Sequence, residues 1–132
     1  MLSHTISKVA IWLLGIVMII FGIYHFRQPQ NLLTYVPNYL PGGIAWVYIV
    51  GAAFILAGLA FLSNRLVSVA GYLLAILLIS FVLLIHWPQY KNAGDAEMRQ
   101  MALVNLLKDL ALAGFAMFIA ATSKKQHLNT GD

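Results

Sequence analysis

The chain has 132 residues, of which 61% are hydrophobic and 9% are charged, and it contains no cysteine. Soluble domains average about 45–50% apolar and about 25% charged residues, so a water-soluble fold of this length could not cover its apolar surface. Without cysteine, thiol–disulfide exchange, c-type haem attachment and thiolate-held iron–sulfur clusters are excluded. The formal net charge is +4, but most basic residues are scattered singly, so no nucleic-acid partner is expected.

Four apolar stretches have the length of membrane-crossing helices. They cover about residues 7–26, 44–62, 66–87 and 101–122, and roughly 20 residues are needed to cross the hydrocarbon core. We therefore predict an all-α integral membrane protein whose single domain, residues 1–132, is an antiparallel four-transmembrane-helix bundle in contact with the lipid bilayer. No small-residue cleavage site follows the first stretch, so we interpret it as a retained helix rather than a signal peptide.

The connections between these stretches differ in character. Residues 27–43 hold three prolines and a glycine pair, which forbid a continuous helix, yet they are too apolar for a free loop. We predict that this interfacial segment lies in the headgroup layer or caps the bundle. Ser63, Asn64 and Arg65 predict a tight turn, and residues 123–132 a polar, basic tail.

Charged and aromatic residues divide between the two ends of the predicted bundle. The N-terminus, the tight turn and the tail share one end, and a slight excess of Lys and Arg there predicts cytoplasmic N- and C-termini in the cell (inner) membrane. The opposite end is rich in aromatic residues, which we interpret as an interfacial belt. The belt comprises Tyr35, Tyr39, Trp46, Tyr48, Trp87 and Tyr90.

Polar residues of several predicted helices fall at the aromatic, non-cytoplasmic end. Helical spacing aligns His25 with Gly15, Met18 and Gly22 on one face of the first helix. Small residues mark close helix contacts in membranes, so such faces are predicted to point inward. Similar stripes join Tyr48 with Gly51, Ile55 and Gly58; His86 with Ser68, Tyr72, Ala75, Ile79 and Val82; and Asn105 with Asp109, Leu112, Ala113 and Ala116.

These stripes predict a polar cluster inside the bundle. Its candidate ligand-binding residues are His25, Tyr48, His86, Asn105, Lys108 and Asp109. Because adjacent helical residues lie about 100° apart, Lys108 and Asp109 are expected to meet partners on different helices rather than each other. No catalytic residue can be assigned, and whether the protein is an enzyme is left open.

Four interpretations of the cluster remain open. The polar groups could lock the helices together, since an ionisable residue within a span needs a partner. They could instead hydrogen-bond a quinone or a lipid headgroup. A metal held by His25, His86 and Asp109 lacks supporting sequence spacing, so no metal site is predicted. Bis-histidine haem is the weakest of the four.

Short motifs in order along the chain resemble those of the DoxX family of small four-helix membrane proteins. The resemblance covers about Gly15 to Ala121. It rests on His25-Phe26 followed by Pro29, then Val36-Pro37, Leu40-Pro41, Trp46-Val47-Tyr48 and Gly51, and later His86-Trp87-Pro88 and Lys108-Asp109-Leu110-Ala111-Leu112-Ala113-Gly114. Many DoxX proteins carry a glutamate shortly after the glycine that Gly51 matches, whereas this chain has apolar residues at positions 52–55.

The resemblance implies a link to membrane redox systems, since founding DoxX proteins are subunits of a thiosulfate:quinone oxidoreductase. From it we expect an accessory component of a quinone-linked system that binds a small hydrophobic ligand at its non-cytoplasmic end. A membrane or soluble oxidoreductase is the expected partner, and the oligomeric state, homo-oligomers included, is left open. The alternative is a non-enzymatic assembly or interaction protein whose polar cluster is structural.

Overall fold

The computed structural model describes the backbone of residues 1–130 and the side chains of residues 1–123. Every regular element in this part of the chain is helical. Six α-helices and one π turn follow one another: α1 Leu2–Arg27, α2 Pro29–Leu33, α3 Ile44–Ser63, α4 Val67–Phe81, the π turn Val82–His86, α5 Trp87–Lys91 and α6 Ala96–Thr130.

Four helical segments are long and apolar enough to cross a membrane. They are Leu2–Arg27, Ile44–Ser63, Val67–Lys91 and Ala96–Ser123, the third of which runs continuously through α4, the π turn and α5. The prediction of an all-helical chain with four such helices is therefore confirmed at this level. Their outer faces carry many exposed aliphatic side chains, as lipid contact requires.

The last helix is longer at both ends than the sequence predicts. It begins at Ala96 rather than near residue 101, because the Asp95 carboxylate accepts a hydrogen bond of 2.8 Å from the Met98 backbone N–H and caps the first turn. At its other end α6 continues to Thr130, so most of the predicted polar tail is helical backbone. The last two residues of that tail lie outside the described part of the chain.

Glycine and alanine bring the helices together in two close pairs. In the first pair, α1 packs along α3, and a Cβ added at Gly58 would lie only 2.5 Å from the Gly15 carbonyl oxygen. In the second, α4 packs along α6, and a Cβ added at Gly71 would lie 2.8 Å from the Ala116 carbonyl oxygen. Such backbone approach needs residues without bulky side chains, as the predicted small-residue faces anticipate.

The third span follows the predicted stripe in part, since Ala75 and Val82 are buried with His86. Gly71, Leu74 and Leu78 are buried, whereas Tyr72, which the spacing placed with His86, is 46% exposed. Eight α-helical steps of about 100° would set His86 about 80° away from Leu78 around the helix. The π turn holds more residues per turn, which rotates His86 back toward the interior, where it is only 7% exposed.

The close glycine contacts predict position-dependent effects of adding one methyl group. Gly58→Ala should lower the melting temperature in detergent, because the new Cβ would clash with the Gly15 carbonyl and the Ile19 side chain, both at 2.5 Å. Gly114→Ala is the matched control, since a Cβ there meets nothing within 4 Å. It should be neutral or stabilise by up to about 1 kcal/mol through helix propensity. Equal melting of the two variants would contradict this packing.

Candidate functional site

A cavity of about 320 Å³ lies where the two helix pairs meet the segment between α2 and α3. Its wall is mostly apolar, with polar groups on α1, the π turn and α6. The apolar and aromatic lining residues are Met18, Phe21, Tyr24, Leu32, Tyr35, Val36, Pro37, Leu40, Trp46, Val47, Val50, Phe54, Leu78, Phe81, Ile85 and Leu112.

The interfacial segment forms one side of this cavity. Leu32 of α2 lines the cavity, and the successive turns after α2 place Tyr35 and Leu40 against it. Gly42 and Gly43 take φ values of +106° and +49°, which side-chain-bearing residues rarely adopt, and so turn the chain into α3. The Trp46 indole N–H donates a hydrogen bond of 2.6 Å to the Pro41 carbonyl and fastens the segment to α3.

A buried pair between His86 and Asp109 joins the third and fourth spans. His86 Nε2 lies 2.8 Å from Asp109 Oδ2, and the two residues are only 7% and 4% exposed. The π turn presents the histidine, and the carboxylate lies on the buried face of α6 that also holds Ala113 and Ala116. Since an unpaired ionisable group within a membrane is costly, the pair explains how Asp109 is accommodated.

Lys108 extends this pair on the cavity side. Its Nζ lies 3.5 Å from Asp109 Oδ1, so the expectation that the two residues would not meet each other is wrong, although each also meets a partner on a different helix as predicted. The long, flexible lysine stem lets the ammonium fold back along α6 despite the helical step between the residues. The same ammonium lies 5.0 Å from the centre of the Phe21 ring, a cation–π contact that links α6 to α1.

His25 is held in one orientation on the α1 side of the cavity. Its Nδ1 lies 2.6 Å from the Phe21 carbonyl oxygen, an acceptor, so Nδ1 carries the hydrogen and donates it. Its ring meets Phe54 edge-to-face, with centroids 5.3 Å apart and planes at 89°. Phe54 in turn contacts Phe81 at 6.2 Å, so an aromatic chain runs from α1 through α3 to α4.

One buried polar atom of the site is unsatisfied. His86 Nδ1 has no hydrogen-bond partner among the described residues, although it is fully enclosed. Leaving a buried acceptor or donor unpaired costs about 1–3 kcal/mol. The ring of Tyr35 is the aromatic neighbour on the interfacial segment, with its centroid 6.4 Å from that of His86. The unpaired Nδ1 of His86 therefore lowers the stability of the fold at the residue that binds Asp109.

Five of the six predicted ligand-binding residues line one cavity. They are His25, His86, Asn105, Lys108 and Asp109. Tyr48 lies elsewhere: it is 39% exposed and packs against Phe26, with ring centroids 5.5 Å apart. Whether any of the six binds a ligand remains a prediction.

The aromatic side chains that line the cavity were not predicted to belong to the site. Tyr35 and Trp46 were assigned to an interfacial belt, yet both line the cavity, and so do Phe21 and Phe54. The signal for Phe54 was its place one turn after Gly51, on the face that meets α1. Within the described residues, no group of three or more His, Asp or Glu side chains is arranged to hold a metal ion.

Four membrane-length apolar helices, with ionisable residues turned toward an internal cavity, are the features of a multi-pass membrane protein. The sequence also matches one known protein family. The chain belongs to the family described as Domain of unknown function (DUF8561), which its residues 14–120 match. No curated protein and no solved structure matches the chain.

The buried pair predicts strong energetic coupling between its members. His86→Leu or Asp109→Leu alone should destabilise the protein by about 3–5 kcal/mol, because each substitution leaves the other residue of the pair buried without its partner. The double variant should lose less than the sum, with a coupling of about 1–3 kcal/mol, measured by SDS unfolding in mixed micelles. The control cycle combines His86→Leu with Asn105→Leu. Its effects should add, since no side-chain hydrogen bond joins Asn105 to His86. Additivity in the His86–Asp109 cycle would refute the pair.

Proposed function

We propose that this protein is a membrane component that binds a small, hydrophobic, quinone-like molecule in the cavity between its helix pairs. In this proposal the four apolar helices cross the bilayer as an antiparallel bundle, with the cavity at the non-cytoplasmic end. The observation that carries it is a partly open, mainly apolar cavity that His25, Asn105 and Lys108 line with polar groups.

The volume and lining of the cavity favour a single ring over a whole lipid. At about 320 Å³ it falls at the lower end of the roughly 300–1,000 Å³ typical of small-molecule sites. Phe21, Phe54 and Phe81 provide flat apolar surfaces suited to an aromatic or quinoid ring. The polar groups provide few hydrogen-bonding positions, as expected where a ring carries only a few oxygen atoms.

A quinone-linked role connects the cavity with a redox system. The DoxX resemblance supports it, because His25, Trp46, His86 and Asp109 belong both to the matching motifs and to the cavity lining. With no cysteine in the chain, thiol-based electron transfer would come from an oxidoreductase partner. We therefore propose an accessory subunit that holds the quinone for such a partner.

The second candidate is an assembly or interaction protein whose polar cluster is structural. The observation that favours it is that Asp109 already has two partners, His86 at 2.8 Å and Lys108 at 3.5 Å. Such internal pairing satisfies the carboxylate without any ligand. The two functions differ in whether blocking the cavity has a consequence beyond stability.

Filling the cavity tests the ligand proposal. Val50 lines it, so Val50→Trp should abolish binding of a short-chain ubiquinone analogue, measured by equilibrium dialysis in detergent. Val104→Trp makes the same substitution on a 56% exposed surface of α6 and should bind like the unmodified protein. Melting temperatures establish that both variants fold. Failure of the unmodified protein to bind the analogue, or equal binding by both variants, would favour the structural alternative.

The proposed orientation has its own test. Basic residues are slightly enriched at the end that holds both termini. A reporter fused after Gln126 should therefore report a cytoplasmic location. A reporter inserted at Gly94, between α5 and α6, should report a location on the non-cytoplasmic side of the membrane. The reverse pattern would move the cavity to the cytoplasmic side.

A further inference from the structure

We propose that the cavity selects the reduced, hydroxyl-bearing form of its ring ligand, a hydroquinone, over the quinone. This inference rests on the proposed function, since it names which form of the ligand the same site prefers. It follows from the fixed hydrogen-bonding direction of His25 and from the Lys108 ammonium, which lies beside the Phe21 ring and lines the same cavity.

The tautomer of neutral His25 is set by its backbone partner. A carbonyl oxygen can only accept, so the contact of 2.6 Å between His25 Nδ1 and the Phe21 oxygen assigns the hydrogen to Nδ1. In a neutral imidazole the other nitrogen, Nε2, is then an acceptor. Among the described residues no hydrogen bond reaches His25 Nε2, and His25 lines the cavity.

Rotating the ring cannot exchange these roles cheaply. A 180° flip of the imidazole would place a ring carbon where Nδ1 now lies and so break the hydrogen bond to the Phe21 carbonyl oxygen. Phe54 is itself buried, 5% exposed, and packs against Phe81. The hydrogen bond to the Phe21 carbonyl therefore holds His25 Nε2 as a hydrogen-bond acceptor on the α1 side of the cavity.

Lys108, on α6, supplies hydrogen-bond donors to the same cavity. The Lys108 ammonium can only donate, and one of its contacts is with Asp109 Oδ1 at 3.5 Å. Its Nζ lies 5.0 Å from the ring of Phe21, the residue whose carbonyl holds His25. An acceptor and a charged donor thus both adjoin Phe21. The Lys108 side chain is 44% exposed, so its remaining hydrogens are accessible to a ligand.

Only one redox form of a ring with two opposed oxygens matches this pattern. A quinone carries acceptors at both positions, so its oxygen would face His25 Nε2 lone pair to lone pair. A hydroquinone can donate one hydroxyl to His25 and present the other oxygen to Lys108. Sites that hydrogen-bond a hydroxyl discriminate strongly against analogues lacking it, because their polar groups are left unpaired.

Paired ligands test this selectivity directly. Dissociation constants of a short-chain ubiquinol and the matching ubiquinone would be measured anaerobically in detergent at pH 8, above the ordinary histidine pKa of about 6.5, so that His25 is neutral. The quinol should bind at least about tenfold more tightly than the quinone. The dimethyl ether of the quinol, which has no hydroxyl, should lose that advantage.

The His25→Phe variant assigns the preference to one residue. It keeps an aromatic ring against Phe54 but removes the acceptor, so quinol affinity should fall, quinone affinity should rise or stay the same, and the quinol preference should disappear. His4→Phe, the same substitution near the start of α1, should retain the preference. If His25→Phe does not fold, the comparison of quinol with its dimethyl ether in the unmodified protein still decides whether a hydroxyl is recognised.

The outcomes separate this inference from the function on which it rests. Equal affinity for quinol and quinone would overturn the inference and leave quinone binding standing. A quinol preference that persists in a folded His25→Phe variant would overturn the assignment to His25. Binding of neither form would overturn the proposed function, and the inference with it.

Discussion

A buried carboxylate within an apolar helix is the constraint on which the site depends. Asp109 lies on the inward face of α6, where apolar side chains offer nothing to hydrogen-bond, so the fold must bring partners to it. The π turn delivers His86 to within 2.8 Å, and Lys108 folds back to within 3.5 Å. π turns interrupt a regular hydrogen-bond ladder and recur at functional sites.

The cavity is a consequence of where the helices are allowed to approach. Glycine lets α1 lie against α3, and α4 against α6, at backbone distance. Between the two pairs, near the polar cluster, the facing residues are larger, and Phe21, Phe54 and Phe81 border the cavity. Tight packing within the pairs and open space between them therefore follow from the placement of small and aromatic residues.

Much of this architecture could be predicted from the sequence, because apolar length and small-residue spacing report directly on membrane helices and their contact faces. The polar cluster followed from placing helix ends on the same side. The π turn could not be predicted, since it shifts backbone hydrogen bonds without a change in side-chain pattern, and for that reason Tyr72 does not share the buried face of His86. Tyr35 and Trp46 were ambiguous because the same side chains suit a membrane interface and a cavity wall.

The central claim, that the cavity holds a small quinone-like molecule, is tested most directly by what the protein carries from its own membrane. Gently solubilised protein would be purified, extracted with organic solvent and analysed by quantitative mass spectrometry beside Val50→Trp protein. We expect the extract of the unmodified protein to contain a quinone-class molecule at close to one per chain, and the extract of the variant to lack it. The same small-molecule content in both proteins, or phospholipid alone, would contradict it.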